Sequence, residues 1–296
     1  LQSRMGRALV VILTGGLTLV LAGLGAAVVA AAELSQPPQP TGACLSCHSA
    51  RGLELTLANG EKLSLFVDQK VMAASVHGDK LACPDCHSLV MAYPHQEKEF
   101  PSRRAYTLSR YLLCQRCHFA NYTKTLDSMH FQVLAQGNMA SPVCTDCHTA
   151  HAVAPPHQRG KISQTCARCH GQIYATYRAS VHGRALVEEE NPDVPTCVDC
   201  HRAHDIEDPR TASFRVGTPD LCAKCHSDRE LAARYDLAPD VVKTYLQDFH
   251  GVSVAFYRQQ GGQTWPAMAV CTDCHGVHDI QKVDDTEAGV VKANLV

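Results

Sequence analysis

Large aromatic side chains are scarce in this chain of 296 residues, which holds seven Phe, nine Tyr and a single Trp, 6% of its composition. A chain of this length normally draws on such residues to fill its interior. Their scarcity excludes an ordinary side-chain core and implies that something else occupies the inside. Strong net charge is also lacking. With 27 Lys and Arg against 29 Asp and Glu, the formal charge is -2, and the basic footprint that nucleic acid requires is missing. Glycine and proline, at 19 and 15 residues, are scattered along the chain, so no large sheet is expected.

Cysteine and histidine are plentiful instead, at 16 and 17 residues. Every cysteine falls in a Cys-x-x-Cys pair and every pair is followed at once by histidine. The first four are Cys44, Cys47 and His48; Cys83, Cys86 and His87; Cys114, Cys117 and His118; and Cys144, Cys147 and His148. The other four are Cys166, Cys169 and His170; Cys197, Cys200 and His201; Cys222, Cys225 and His226; and Cys271, Cys274 and His275. Chance would place a histidine after any one pair about 6% of the time, and here it follows all eight.

This order of residues suits covalent haem. Two thiols add across the two vinyl groups of one porphyrin, and the next residue is held beneath the iron as its proximal ligand. Zinc ribbons pair two Cys-x-x-Cys units per metal and have no use for a histidine after each. A disulfide framework would not keep one spacing throughout, and a redox dithiol would not recur eight times. Eight covalently attached haem c groups are therefore expected, and they supply the missing interior.

Nine further histidines remain, and eight fall into a repeat. Each unit reads haem motif, isolated histidine, haem motif, trailing histidine. The isolated residues are His77, His130, His182 and His250, in the words "SVHG", "SMHF", "SVHG" and "DFHG"; the trailing ones are His95, His151, His204 and His278. In units two to four the trailing histidine follows the motif histidine by three residues, whereas "CHSLVMAYPH" delays His95 in unit one. His157 is left over. Eight motif histidines thus meet eight candidate distal ligands, and bis-histidine ligation throughout is expected. The spare histidines make Met72, Met91, Met129, Met139 and Met268 packing residues in this reading.

A trailing histidine cannot serve the iron of its own motif. Three residues, at most about 3.6 Å each, are too few to pass round a porphyrin edge to its opposite face. It must ligate another haem. The simplest wiring gives it the first haem of its own unit, with the isolated histidine serving the second.

Residues 8–32 form an uncharged run of 25 preceded by Arg4 and Arg7. At about 1.5 Å per residue the run spans a bilayer as one helix, and it exceeds the roughly 7–15 residues of a signal-peptide core. A retained transmembrane anchor is expected, with the arginines on the cytoplasmic side and residues 33–296 outside. Gly16, Gly23, Ala27 and Ala30 lie near one face of that helix, where small residues can pack against a second membrane helix. The organisation read from the sequence is a cytoplasmic N-terminus 1–7, an anchor 8–32, a linker 33–43, dihaem units 44–110, 111–160, 161–215 and 216–280, and a tail 281–296.

Short helices and long loops around the haems are expected elsewhere. "GQIYATYRAS" and "APDVVKTYLQDFHG" have helical spacing, the latter with Asp240 placed to cap. Residues 53–67 alternate about Asn59-Gly60 and read as one small β-hairpin.

Over Arg4 to Asp279 these motifs resemble membrane-anchored multihaem c-type cytochromes. The anchor is similar to that of the quinol-oxidising NapC/NrfH-type electron donors of nitrite and nitrate reductases, and the doubled motifs are similar to octahaem electron carriers. The resemblance implies an electron-transfer subunit, not an enzyme by itself. It would lie in the cytoplasmic membrane with its haem domain on the periplasmic side. It would relay electrons between a membrane oxidoreductase or quinol pool and a periplasmic or extracellular acceptor. Partners implied are other membrane subunits of an electron-transfer complex, quinol and a soluble redox protein; nucleic acid is not among them. Only 11 residues separate the apolar run from Cys44, which places the first haem near the membrane surface, where Glu33 or Lys62 could meet a quinol headgroup. Closed axial positions favour electron transfer over substrate binding. The alternatives are an octahaem reductase of nitrite or hydroxylamine with one open haem, as would follow if His95 reached no iron, and an extracellular electron conduit.

Overall fold

The computed structural model describes residues 41–88, 90, 95, 99–155, 159–260, 268–286 and 288–290. The expected membrane helix over 8–32, with its small-residue stripe, lies outside them, as do Glu33, Met91 and His157. Among the described residues no helix is long and apolar enough to cross a membrane.

The chain is mostly helical, and its connections are shorter than the long loops expected, because the second haem motif of each unit is itself a short helix. These are α3 (Cys83–Cys86), α7 (Cys144–His148), α11 (Cys197–His201) and α16 (Cys271–His275). Helices this short are marginal alone. In each, the aspartate at the third position turns back to the amide just before the first cysteine. Asp85 accepts from Ala82 N at 2.7 Å, Asp146 from Val143 N at 2.7 Å, Asp199 from Thr196 N at 2.6 Å and Asp273 from Val270 N at 2.6 Å. Each carboxylate satisfies an orphan donor and complements the helix N-terminus.

The first motifs close longer elements. Cys44, Cys47 and His48 lie in α1 (Thr41–His48), and Cys114 in a 3-10 turn over Tyr111–Arg116. Cys166 lies in α8 (Arg159–Ala167), and Cys222, Cys225 and His226 end α12 (Ala212–His226). Upstream arginines clamp the second motifs of units two to four. Arg104, in α4 (Arg103–Arg110), donates to Asp146 at 2.8 Å and also to the carbonyls of Met139 and Ser141. Arg159 binds Asp199 at 2.8 Å and Val194 O at 2.9 Å, and Arg215 binds Asp273 at 2.5 Å and Met268 O at 2.9 Å. One guanidinium thus joins a carboxylate to the preceding loop, a use that suits its planar fork of donors.

Three of the four isolated histidines follow a capping residue at a helix start, whereas His77 lies in a turn. Ser128, Ser180 and Asp248 accept from the amides of Phe131, Gly183 and Gly251, opening α6 (Met129–Ala135), α10 (Val181–Val187) and α15 (Phe249–Gln259). The glycine after the histidine has a steric cause. A Cβ on Gly183 would overlap the carbonyl of Tyr177 at the end of α9 (Gly171–Ala179), and one on Gly251 that of Tyr245 in α14 (Val241–Gln247). Asp240 stands at the N-cap position of α14 but makes no side-chain cap bond, and a break at Asp248 divides the single helix expected there. The residue that caps is Asp248, whose bond to Gly251 starts the helix carrying His250.

The expected hairpin is present. β1 (Glu54–Thr56) pairs antiparallel with β2 (Lys62–Ser64), Leu55 opposite Leu63. Gly60 turns with φ 84°, and Asn59 Oδ1 accepts from Glu61 N at 3.1 Å. Among the described residues this is the whole of the sheet structure.

Among the described residues only nine apolar ones are buried, and the core cluster they form is Val216, Val254 and Val270. Phe119, Phe249, Phe256 and Val277 are each more than half exposed. So thin a core cannot by itself organise the helices.

Candidate haem centres

Immediately after the second-motif histidine the backbone turns sharply. Thr149 has φ 63° and ψ -174°, Arg202 φ 61° and ψ -178°, and Gly276 φ 79° and ψ 177°. This region is open essentially only to glycine, and the turn carries the trailing histidine away from its own motif. The segment is then fastened to the preceding unit. Val76 N donates to Val153 O at 3.0 Å, Met129 N to Ile206 O at 2.8 Å and Val181 N to Ile280 O at 2.8 Å. In each case the residue before an isolated histidine binds the residue two beyond the next unit's trailing histidine.

Fourteen of the sixteen candidate ligands consequently stand in seven imidazole pairs. His48 and His95 have ring centroids 6.0 Å apart, His77 and His118 5.9 Å, His87 and His151 6.1 Å, and His130 and His170 6.1 Å. His148 and His204 are 6.0 Å apart, His182 and His226 6.3 Å, and His201 and His278 5.9 Å. The wiring expected within units is therefore corrected everywhere but His48 with His95. His77, His130 and His182 each face the first motif of the next unit, and each trailing histidine in units two to four faces the second motif of the unit before. The turn after the motif and the bond between units impose this shift. His250, expected opposite His275, makes its ring contact with Phe249 at 5.6 Å, and neither His250 nor His275 pairs with another imidazole among the described residues.

The cysteines are arranged as regularly. The thiols of Cys44 and Cys83 are in hydrogen-bonding contact, as are those of Cys114 and Cys144, Cys166 and Cys197, and Cys222 and Cys271. The hydrogen bond from Cys114 lowers Cys144 to about 7, and that from Cys166 lowers Cys197 to about 6. Between units, Cys86 lies near Cys114 and Cys117, Cys147 near Cys169, and Cys200 near Cys225. All sixteen are free of disulfides. Consecutive motifs thus lie near one another from the first to the eighth.

Ten of the imidazoles are held toward the neutral state that binds iron. Burial lowers His182 to about 4, and it is the leading cause that lowers His87, His130, His148, His151, His201, His204, His226, His275 and His278. A neutral ring keeps a lone pair for a metal. His48 Nδ1 lies 2.7 Å from Leu65 O, which assigns its proton to Nδ1 and leaves Nε2 as ligand.

These groups fit haem. Two metal–nitrogen bonds of about 2 Å, with roughly 1.1 Å from each ring nitrogen to its centroid, add to about 6 Å, so one iron fits between each pair. Among the described residues no group of three or more His, Cys, Asp or Glu is placed to hold a metal ion. Two axial ligands per site suffice only where a porphyrin supplies the rest. Buried Arg110 Nε, Thr145 Oγ1 and Arg159 Nε find no hydrogen-bonding partner in the protein, which suits a cofactor bearing carboxylates.

Sequence reading passed over the residues between the cysteines, which alternate visibly. The third position of second motifs is always Asp, and that of first motifs is Ser46, Arg116, Arg168 or Lys224. Arg116 donates to Asp85 O at 3.1 Å and Arg168 to Asp146 O at 2.8 Å, so the basic residue bolts one unit to the one before.

Two family models match the chain, that of cytochrome c552 over residues 28–162 and that of cytochrome c3 over residues 138–227, each over less than half its length. The matches support a multihaem c-type cytochrome with covalently bound haem c and a role in electron transport. No solved structure matches the chain.

Proposed function

We propose that this multihaem c-type cytochrome is an electron relay that carries eight haem c groups and is anchored on the outer face of the cytoplasmic membrane. The observation that carries the reading is the unbroken run of neighbouring motifs, Cys44 beside Cys83, Cys86 near Cys114, and so on to Cys222 beside Cys271. Haem c, when bound, supplies reversible one-electron chemistry at its iron and a conjugated edge open to its neighbours.

What the chain contributes is attachment and placement. The sixteen cysteines hold the porphyrins. His48, His87, His118, His148, His170, His201, His226 and His275 serve as proximal ligands, and the paired imidazoles close seven opposite faces. Two histidines per iron exclude substrate and favour low potentials, suited to exchange with a quinol of low potential. Because six of the seven pairs join two units, the same contacts that bind the cofactors hold the repeats together. His95, whose late position could have left an iron open, stands 6.0 Å from His48, which argues against a reductase site there.

Residues 8–32, uncharged and preceded by Arg4 and Arg7, serve as the membrane anchor in this reading. The 11-residue linker keeps the first motif near the membrane surface, where a quinol or a membrane oxidoreductase would deliver electrons. The acceptor is then a periplasmic or extracellular redox protein.

Intact-protein mass spectrometry with a pyridine haemochrome assay, followed by reduction of the holoprotein in native membranes by quinol, tests the proposal. Eight haems per chain, reduced by quinol and reoxidised by an added acceptor protein, are expected. Markedly fewer haems, or no reduction through the membrane, would overturn it.

A further inference from the structure

The arginines that clamp the second motifs each hold a carboxylate: Arg104 that of Asp146, Arg159 that of Asp199 and Arg215 that of Asp273. Arg110, the last residue of α4, stands six residues beyond Arg104 and is placed differently. Its Nε is buried with no hydrogen-bonding partner, and among the described residues no carboxylate pairs with its charge.

Two aromatic rings hold this guanidinium. Its carbon lies 5.7 Å from the ring centroid of Phe100 and 5.2 Å from that of Tyr106, and the two rings meet edge to face at 5.0 Å. Tyr106 precedes Arg110 by one turn of α4, whereas Phe100 is fastened to the hairpin loop. Ala58 N donates to Phe100 O at 3.1 Å and Asn59 N to Pro101 O at 3.2 Å. A ring face attracts the charge but offers no lone pair to the N–H donors. A half-buried guanidinium positioned in this way, with a donor already stripped of water, is costly unless an anion completes it.

What stands nearby indicates the source of that anion. Burial, then His151, then Arg110 lower His87, with His48 and His95 contributing less. Arg110 is thus within electrostatic reach of the second haem centre, whose axial pair, His87 and His151, has ring centroids 6.1 Å apart. A porphyrin attached to Cys83 and Cys86 brings two propionates to this place.

We infer that Arg110 binds a propionate of the haem on Cys83 and Cys86 and raises the potential of that haem, an inference that rests on the haem assignment above. Phe100 and Tyr106 position the guanidinium and leave its donors for the carboxylate. The fixed positive charge offsets the propionate and disfavours the ferric iron, which carries one more positive charge than the ferrous. An electron that arrives at the first haem is thereby drawn on to the second.

The test is potentiometry of the holoprotein, followed in the visible haem bands at about pH 8, where a propionate released from Arg110 stays ionised. Arg110→Gln is expected to move one of the eight one-electron waves to lower potential, by about tenfold in the ratio of reduced to oxidised haem or about 59 mV. Arg110→Lys, which keeps the charge, should retain most of the parent potential. Unshifted waves in Arg110→Gln, or an equal fall in Arg110→Lys, would overturn the inference. Crystals of the holoprotein should show the propionate on Arg110 belonging to the porphyrin of Cys83 and Cys86; a propionate of another haem, or an Asp or Glu carboxylate in its place, would also overturn it. With eight haems counted, any of these failures leaves the relay reading intact, whereas markedly fewer haems fails the relay reading itself.

Discussion

Val181 donates its backbone amide to the carbonyl of Ile280 across 2.8 Å, joining residues 99 positions apart that flank His182 and His278. Val181 is the first residue of α10, where proline is tolerated because the amide has no partner within the helix. Val181→Pro should therefore remove this one bond between units. A loss of about 1 kcal/mol is expected in denaturant unfolding of the holoprotein, together with a change in the low-spin signal of the haem between His201 and His278.

Gly183 admits no Cβ, since the backbone of Tyr177 occupies that space. Gly183→Ala should push α10 away from α9 at a cost of about 1–3 kcal/mol, the range for overpacking against backbone that cannot yield. The displaced His182 should weaken its hold opposite His226, and a partial high-spin signal in the electron paramagnetic resonance spectrum would record it.

Thr149 holds a backbone conformation that Gly276 holds at the equivalent place in unit four. The strain at a non-glycine residue there exceeds the entropy glycine adds to the unfolded chain. Thr149→Gly should stabilise the holoprotein by about 1 kcal/mol, measured as a rise in denaturant midpoint with no change in the visible spectrum.

Asp193 accepts hydrogen bonds from Tyr235 Oη at 2.8 Å and from Arg234, and these hold its carboxyl below the usual range. A lowered folded pKa means the contribution is present above the unfolded value of about 3.9 and is lost as pH falls through the folded value. The carboxyl is half-buried but its partner Arg234 is exposed, so the effect is small. Asp193→Asn should lower the unfolding midpoint slightly at pH 7 and leave it equal to that of the parent near pH 2.

Much of this was legible in the sequence. Asn59-Gly60 marks the hairpin, "GQIYATYRAS" the helix α9, and the words around His77, His130, His182 and His250 mark the repeat. Which histidine faces which was not. A period in sequence is unchanged when every partner shifts by one unit, and the shift is set by the backbone turn at Thr149, Arg202 and Gly276. Only glycine, at 276, announces that turn; Thr149 and Arg202 adopt it under tertiary constraint. The long loops expected were misread because the Asp at the third position of second motifs, which makes each a capped helix, went unused. Asp240 misled for a related reason, since Asp248 caps the neighbouring helix more directly.

Diffraction at the iron absorption edge from crystals of the holoprotein tests the central claim, that imidazoles from adjoining repeats share the irons at the junctions between units. Iron peaks are predicted midway between His87 and His151, His148 and His204, and His201 and His278, about 2 Å from a nitrogen of each ring. Peaks placing His151 with His118, His204 with His170 and His278 with His226 would contradict it.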